Sequence, residues 1–236
     1  MNMNNPADRL YSILERVRKS RDHFVRSVWA EALGIDKDDL HQLFYHLFLT
    51  RQLLDEVEKQ IKSIPNLRHD IYLKRFDRIR RAISPTEIDA VFASSQLDEA
   101  TMASLEFCAE RLSLTYPETM PPDDELEALR NAIDSLKEQI LSESIDHDLQ
   151  IILLDLVESM RRAIHKYMFS GVEGLRQELF SILERLQKYY PIFKQHSNEP
   201  VVQEFWNILT RFDTLTSICL NVPQILGGIS KLLSGG

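Results

Sequence analysis

The residues best suited to chemistry in this 236-residue chain form the run Arg68-His69-Asp70-Ile71-Tyr72-Leu73-Lys74-Arg75-Phe76-Asp77-Arg78-Ile79-Arg80-Arg81. It holds six lysines and arginines against two aspartates. On one continuous helix Lys74, Arg78 and Arg81 share a face opposite Phe76 and Ile79, the arrangement of a phosphate-contacting stripe. The whole chain, however, carries 28 Lys and Arg against 36 Asp and Glu, a formal charge of −8. A field of that sign opposes a polyanion. We therefore expect a solvated face whose cations pair with acids of neighbouring helices, and no nucleic-acid partner.

Other constellations lack the spacing their chemistry needs. His41 and His46 are five apart, whereas shared metal coordination on a helix wants i, i+3 or i, i+4. His165 and Glu158 are seven apart, and His147 stands between acids in a cap position. Glu56 and Glu58 have no Glu-x-x-His partner, so a di-iron bundle fails on its motif. Cys108, between Phe107 and Ala109, reads as a small buried hydrophobe rather than a nucleophile. Its distance from Cys219 suits a reducing compartment better than a disulfide scaffold. There is no Walker A loop, GxGxxG, GxSxG or HExxH. The expectation is no catalytic, cofactor-binding or metal-ligating residue, and no cofactor.

The elements that must position these residues are helical. No glycine occurs between Gly34 and Gly171, so that stretch holds no glycine-rich phosphate cradle and needs little positive-φ backbone. Apolar residues recur at helical spacing: Leu10, Ile13, Leu14 and Val17 after Pro6; Phe24, Val25, Val28, Trp29 and Ala32 up to Gly34; then a long seam of Leu40, Leu43, Phe44, Leu47, Leu54, Val57 and Ile61, capped by Asp36. One helix is predicted over 70–83, burying Ile71, Phe76, Ile79 and Ile83. Residues 86–96 read as a short helix and a loop, and another helix spans about 98–114. The run Tyr116 to Asp124, with three prolines and three acids, is the natural linker. A charged amphipathic helix carrying Leu126, Leu129, Ile133, Leu136 and Ile140 follows, then one over 146–169, with Gly171 as the C′ residue of an antiparallel pair whose second helix ends before Pro191. Gly174 allows close helix–helix approach. No alternating strand pattern of useful length occurs.

The last 36 residues are chemically different. Phe205, Ile208, Leu209, Phe212 and Leu215 form one stripe, and Ile225, Leu226, Ile229, Leu232 and Leu233 a second beyond Pro223. Residues 214–234 carry one formal charge, Lys231. The length would cross a bilayer, but Asn221 and Gln224 beside Pro223 make insertion costly. The reading preferred is a terminal helix docked on the bundle or on another copy. An interfacial membrane element is the alternative, resting on apolar area because Lys231 alone would meet anionic lipid.

Two resemblances bear on function. The Arg18–His23 spacing in RKSRDH resembles the R-x4-6-H motif of HEPN-type ribonucleases, which implies an all-α fold and a composite RNA-cleaving site shared by two subunits. The stretches NPADRLYSILERVRKS, VWAEALGID, LDEATMASLEFCAERLS and AIHKYMFSGVEGLRQEL resemble uncharacterised bacterial helical proteins, with Tyr167 followed by the turn Gly171-Val172-Glu173-Gly174-Leu175. That resemblance implies association with phage-defence genes and attaches no activity.

The expectation is an all-α, elongated bundle of roughly eight to ten helices. It divides into an N-terminal helical region (1–115), a Pro/acidic linker (116–124), a helical hairpin region (125–199) and an apolar C-terminal tail (200–236). The start, MNMNNPADRLYS, lacks a basic region followed by an apolar run, so a cytoplasmic protein without a secretory signal is expected. The function expected is non-catalytic interaction or assembly, the tail contacting a protein partner or another copy. A membrane-perturbing tail and a HEPN-like ribonuclease are the alternatives.

Overall fold

The computed structural model describes residues 5–84, 88–116, 119 and 121–226. Among them are nine α-helices, a 3₁₀ turn at Ser94–Leu97 and no named strand, so the protein is all-α. The chain separates into two compact units, Met1–Glu118 and Thr119–Gly236.

The first unit is built around α1 (Pro6–Lys19), which packs on α2 (Val25–Leu33), α3 (Leu40–Ser63) and α6 (Glu99–Thr115). Leu10, Ile13, Leu14 and Val17 are buried as their spacing requires. Asn5 caps α1, its side-chain oxygen accepting from the Ala7 and Asp8 amides at 2.9 and 3.1 Å. Its amide nitrogen donates to the Ala109 carbonyl (3.0 Å) and Ser113 hydroxyl (2.8 Å) of α6. One buried cap thus ends a helix and ties it to its neighbour. Gly34 closes α2 at φ 68°, while the Ile35 amide reaches back to the Ala30 carbonyl at 3.0 Å.

Several local expectations are corrected. The cap of α3 is Asp39, which accepts from the Gln42 amide at 3.0 Å; Asp36 instead accepts from the Asp38 amide, one turn earlier. Phe24 is half exposed because it sits at the N-cap of α2, where loop carbonyls cover the first turn: the Val25 and Arg26 amides donate to Ala90 and Ile88. Phe24 and Val91 form an isolated antiparallel bridge there. Leu40 and Phe44, read as part of the buried seam, are exposed. The single helix over 70–83 is two, α4 (His69–Tyr72) and α5 (Phe76–Ile83), and Ile71 is exposed. A tertiary contact lies at the break. The Tyr72 carbonyl is taken by the Ser104 hydroxyl of α6 at 2.9 Å, with the Cys108 thiol beside it at 3.7 Å. Trp29, fully buried, donates its indole N–H to the Ala82 carbonyl at 3.2 Å and anchors the end of α5.

The second unit contains α7 (Asp123–Ser142), α8 (His147–Gln195) and α9 (Pro200–Leu220). Within α8, Gly171 has φ 61° and ψ −162°, a backbone region open essentially to glycine. Arg185 donates to Asp155 and to Ser159, each at 2.8 Å. On a straight helix, thirty residues would separate such groups by about 45 Å. The chain therefore folds back at Gly171 into two antiparallel arms, as the Gly-x-x-Gly turn suggested. A Cβ on Gly174 would lie 2.2 Å from the Ser170 Cβ, so its missing side chain lets the arms meet.

Ion pairs Lys137–Glu158 (2.5 Å) and Arg161–Asp134 (2.9 Å) set α7 antiparallel to the first arm. Phe193 stacks near Phe205 and Trp206 at 5.5 and 5.9 Å, joining the second arm to α9. Arg211–Glu125 at 3.2 Å then joins α9 to α7. The result is a four-arm antiparallel bundle around one apolar core. Pro191 does not end the second arm, which continues to Gln195. The buried Phe193 keeps that last turn on the core.

Asp213, 1% exposed, accepts from the Ser217 hydroxyl (3.3 Å) and from the backbone amides of Ile225 (3.1 Å) and Leu226 (2.8 Å). It brings the chain back onto the bundle after Asn221, a left-handed residue at φ 52°, ends α9.

Gly171→Ala forces a side chain into that backbone region and is expected to cost about 1–3 kcal/mol. Asp213→Ala leaves two amides without their acceptor and is expected to cost a similar amount, about 1–3 kcal/mol. Urea unfolding followed by circular dichroism measures both; a loss under about 0.5 kcal/mol, the range of an ordinary surface change, would refute the role given to either residue.

Candidate interaction surfaces

The tail stripe faces inward over its described part. Phe205, Ile208, Leu209 and Phe212 are fully buried, and Leu215 and Leu226 nearly so; Ile225 packs against the same core. These side chains, expected to meet a partner, are the inner face of the fourth arm of the bundle. Ile229, Leu232 and Leu233 lie outside the described residues. The 214–234 stretch is not one helix, since α9 stops at Leu220. Among the described residues no helix is long and apolar enough to cross a membrane.

The stripe of Lys74, Arg78 and Arg81 is also redistributed. Lys74 falls in the turn before α5, so it does not share a helical face with the other two. Arg78 pairs with Asp98 at the cap of α6, and Arg81 donates to the Asp77 carbonyl at 3.2 Å. Arg80 is held by Glu58 at 2.6 Å and Asp77 at 2.9 Å. The Glu58 carboxyl lies below its usual range, through its hydrogen bond with Lys62 and then that with Arg80. The Arg78–Asp98 and Arg80–Glu58 pairs are the interhelical pairings expected of a solvated face. Three other cations lie together. Arg68, Lys74 and Arg75 border an open concavity of about 590 Å³ between α4 and α6, with Tyr72 and Phe107 in its walls.

A second surface lies along the N-terminal half of α3. Leu40, Phe44 and Phe48 recur every four residues with Tyr45 beside them, and their exposures are 37%, 45%, 57% and, for Tyr45, 37%. At i, i+4 and i+8 they form one continuous face. Phe44 and Phe48 also line a smaller concavity of about 250 Å³ whose far side is Ile83 and Ser84. The sequence pattern placed Leu40 and Phe44 in the buried seam and did not single out Tyr45 or Phe48. No short-range signal distinguishes a stripe that a neighbour covers from one that none does.

Residues with catalytic potential are dispersed. Arg18 lies in the last turn of α1 and His23 in the loop before α2, both exposed, so one helix does not carry both. His46 bonds the Gln42 carbonyl of its own helix at 2.8 Å. Among the described residues no three His, Cys, Asp or Glu side chains gather as a metal site. Cys108 is fully buried, and burial pushes its thiol up to about 12; burial also raises Cys219. Comparison with protein-family models, with curated proteins and with solved structures finds no match to this chain.

A thiol whose pKa rises on burial stays protonated, and so unreactive, at every pH below that value. Neither cysteine of the native chain should label with a thiol-specific reagent at pH 8, and both should label in denaturant. Rapid native labelling that Cys108→Ser abolishes would contradict the buried, structural role.

Proposed function

We propose that this chain is a non-catalytic helical assembly protein of the bacterial cytoplasm, joining a second copy of itself through the uncovered face of α3. The observation that carries the reading is the row Leu40, Phe44 and Phe48, at i, i+4 and i+8 on α3 and each more than a third exposed. Contiguous exposed apolar surface of this kind marks interaction sites in soluble proteins. The dispersed histidines and the buried, high-pKa Cys108 support a role without covalent chemistry. Resemblance of several segments to bacterial helical proteins near phage-defence genes supports the setting.

Magnitudes bound the strength of this contact. A fully buried aromatic or leucine contributes about 1.5–3 kcal/mol, and these side chains are already about half covered. Leu40, Phe44 and Phe48 together offer on the order of 2–4 kcal/mol, whereas micromolar affinity needs about 8 kcal/mol. Polar contacts around the row must supply the rest, so the association is of modest strength.

Light scattering over a concentration series tests the reading. The intact chain should exceed its 27.5 kDa monomer mass as concentration rises. Phe44→Glu with Phe48→Glu should weaken association by about ten- to a hundred-fold, leaving the helical circular dichroism unchanged. A wild-type chain that stays monomeric at every concentration, or a double variant that associates as well as wild type, would sink the proposal.

A further inference from the structure

The concavity between α4 and α6 has a built character that the α3 face lacks, and shares no residue with it. It lies where the Ser104–Tyr72 hydrogen bond meets the break between α4 and α5. That bond uses the Ser104 hydroxyl as a donor and, with Ala100 alongside, leaves a floor of small side chains. Ile71 and Phe107 rise on its walls, 53% and 61% exposed. Such large apolar side chains at an open trough suit an inserted apolar group. Around this centre stand Arg68, Lys74 and Arg75.

The charges at the rim are available. Lys74 and Arg75 have no carboxylate within ion-pair distance among the described residues, in contrast to Arg78 and Arg80 close by in sequence. Arg68 meets Asp70 at 3.3 Å, but both side chains are at least 70% exposed, and such pairs exchange readily with other partners. Of the two acids nearest in sequence, Asp70 pairs with Arg68 and Asp77 with Arg80, which leaves the Lys74–Arg75 side of the trough the more positive.

We propose that this trough binds an acidic protein segment that inserts one apolar side chain between Ile71 and Phe107 while its carboxylates meet Arg68, Lys74 and Arg75. Charge complementarity selects the anionic partner, and the apolar floor selects a chain with an anchor residue. A nucleic-acid strand fits less well. It needs a basic track along its backbone, and Arg78 and Arg80, the next cations in sequence, are paired with Asp98, Glu58 and Asp77. The net charge of −8 adds long-range repulsion against a polyphosphate.

Fluorescence anisotropy on the full chain tests this with a short labelled peptide rich in Glu and carrying one central Phe. Saturable binding is expected, weakening steeply as salt rises and falling by about tenfold when the peptide Phe becomes Ser. Lys74→Glu with Arg75→Glu, and separately Phe107→Ser, should each lower affinity by about tenfold or more. The milder pair Lys74→Gln and Arg75→Gln repeats the test if charge reversal disturbs the helical signal. Phe44→Glu should leave peptide binding unchanged, which separates this site from the α3 face. Absence of saturable binding would overturn the proposal, as would binding that none of these variants moves. Tighter binding of an oligothymidylate that the same variants abolish would also overturn it, and make the trough a nucleic-acid site.

Discussion

Reversal of the chain at Gly171 is the constraint on which the second unit depends. A φ of 61° with ψ of −162° places two helical arms back to back without a loop, and the missing side chain of Gly174 lets them meet beside Ser170. Arg185 can then reach Asp155 and Ser159, and the two arms offer adjoining apolar faces. Those faces need covering, and α7 and α9 cover them. The charge-poor composition of α9 follows: a helix that supplies Phe205, Ile208, Leu209 and Phe212 to the centre of a bundle has little room for charge. Asp213 is the exception, and its carboxylate spends its accepting capacity on the returning backbone at Ile225 and Leu226.

In the first unit a smaller interaction marks a comparable turn. The Ser104 hydroxyl donates to the Tyr72 carbonyl where the basic segment divides into two short helices. The change in direction breaks up the expected stripe. Arg78 goes to Asp98 and Arg80 to Glu58, while Lys74 and Arg75 turn toward the trough in front of Phe107. A cationic, aromatic-walled concavity on an acidic protein thus lies beside one side-chain-to-backbone hydrogen bond. The cations themselves were evident in the sequence; their division into neutralised and available groups was not.

Much of the fold was legible in periodicity and punctuation. The stripe of α1, the left-handed end of α2 at Gly34, the start of α6 near Asp98 and the turn at Gly171 follow from local rules about apolar spacing, helix termination and positive φ. Those rules act within a few residues, so the amino-acid order alone determined an all-helical chain and where most helices stop. It also determined that Cys108 sits on an apolar helical face.

Tertiary structure decided which apolar stripes are covered. The α9 stripe and the α3 row look alike in sequence, yet the first lies at the centre of a bundle and the second stands in water. Coverage depends on residues distant in the chain, such as Glu125 for Arg211 and Phe193 for Phe205. The same non-local dependence hid the capping by Asp213, the continuation of α8 past Pro191 and the break at Tyr72. Sequence spacing determined which side chains share a helical face; only packing among distant segments decided what each face meets, because burial and hydrogen-bond competition are settled between elements rather than within them.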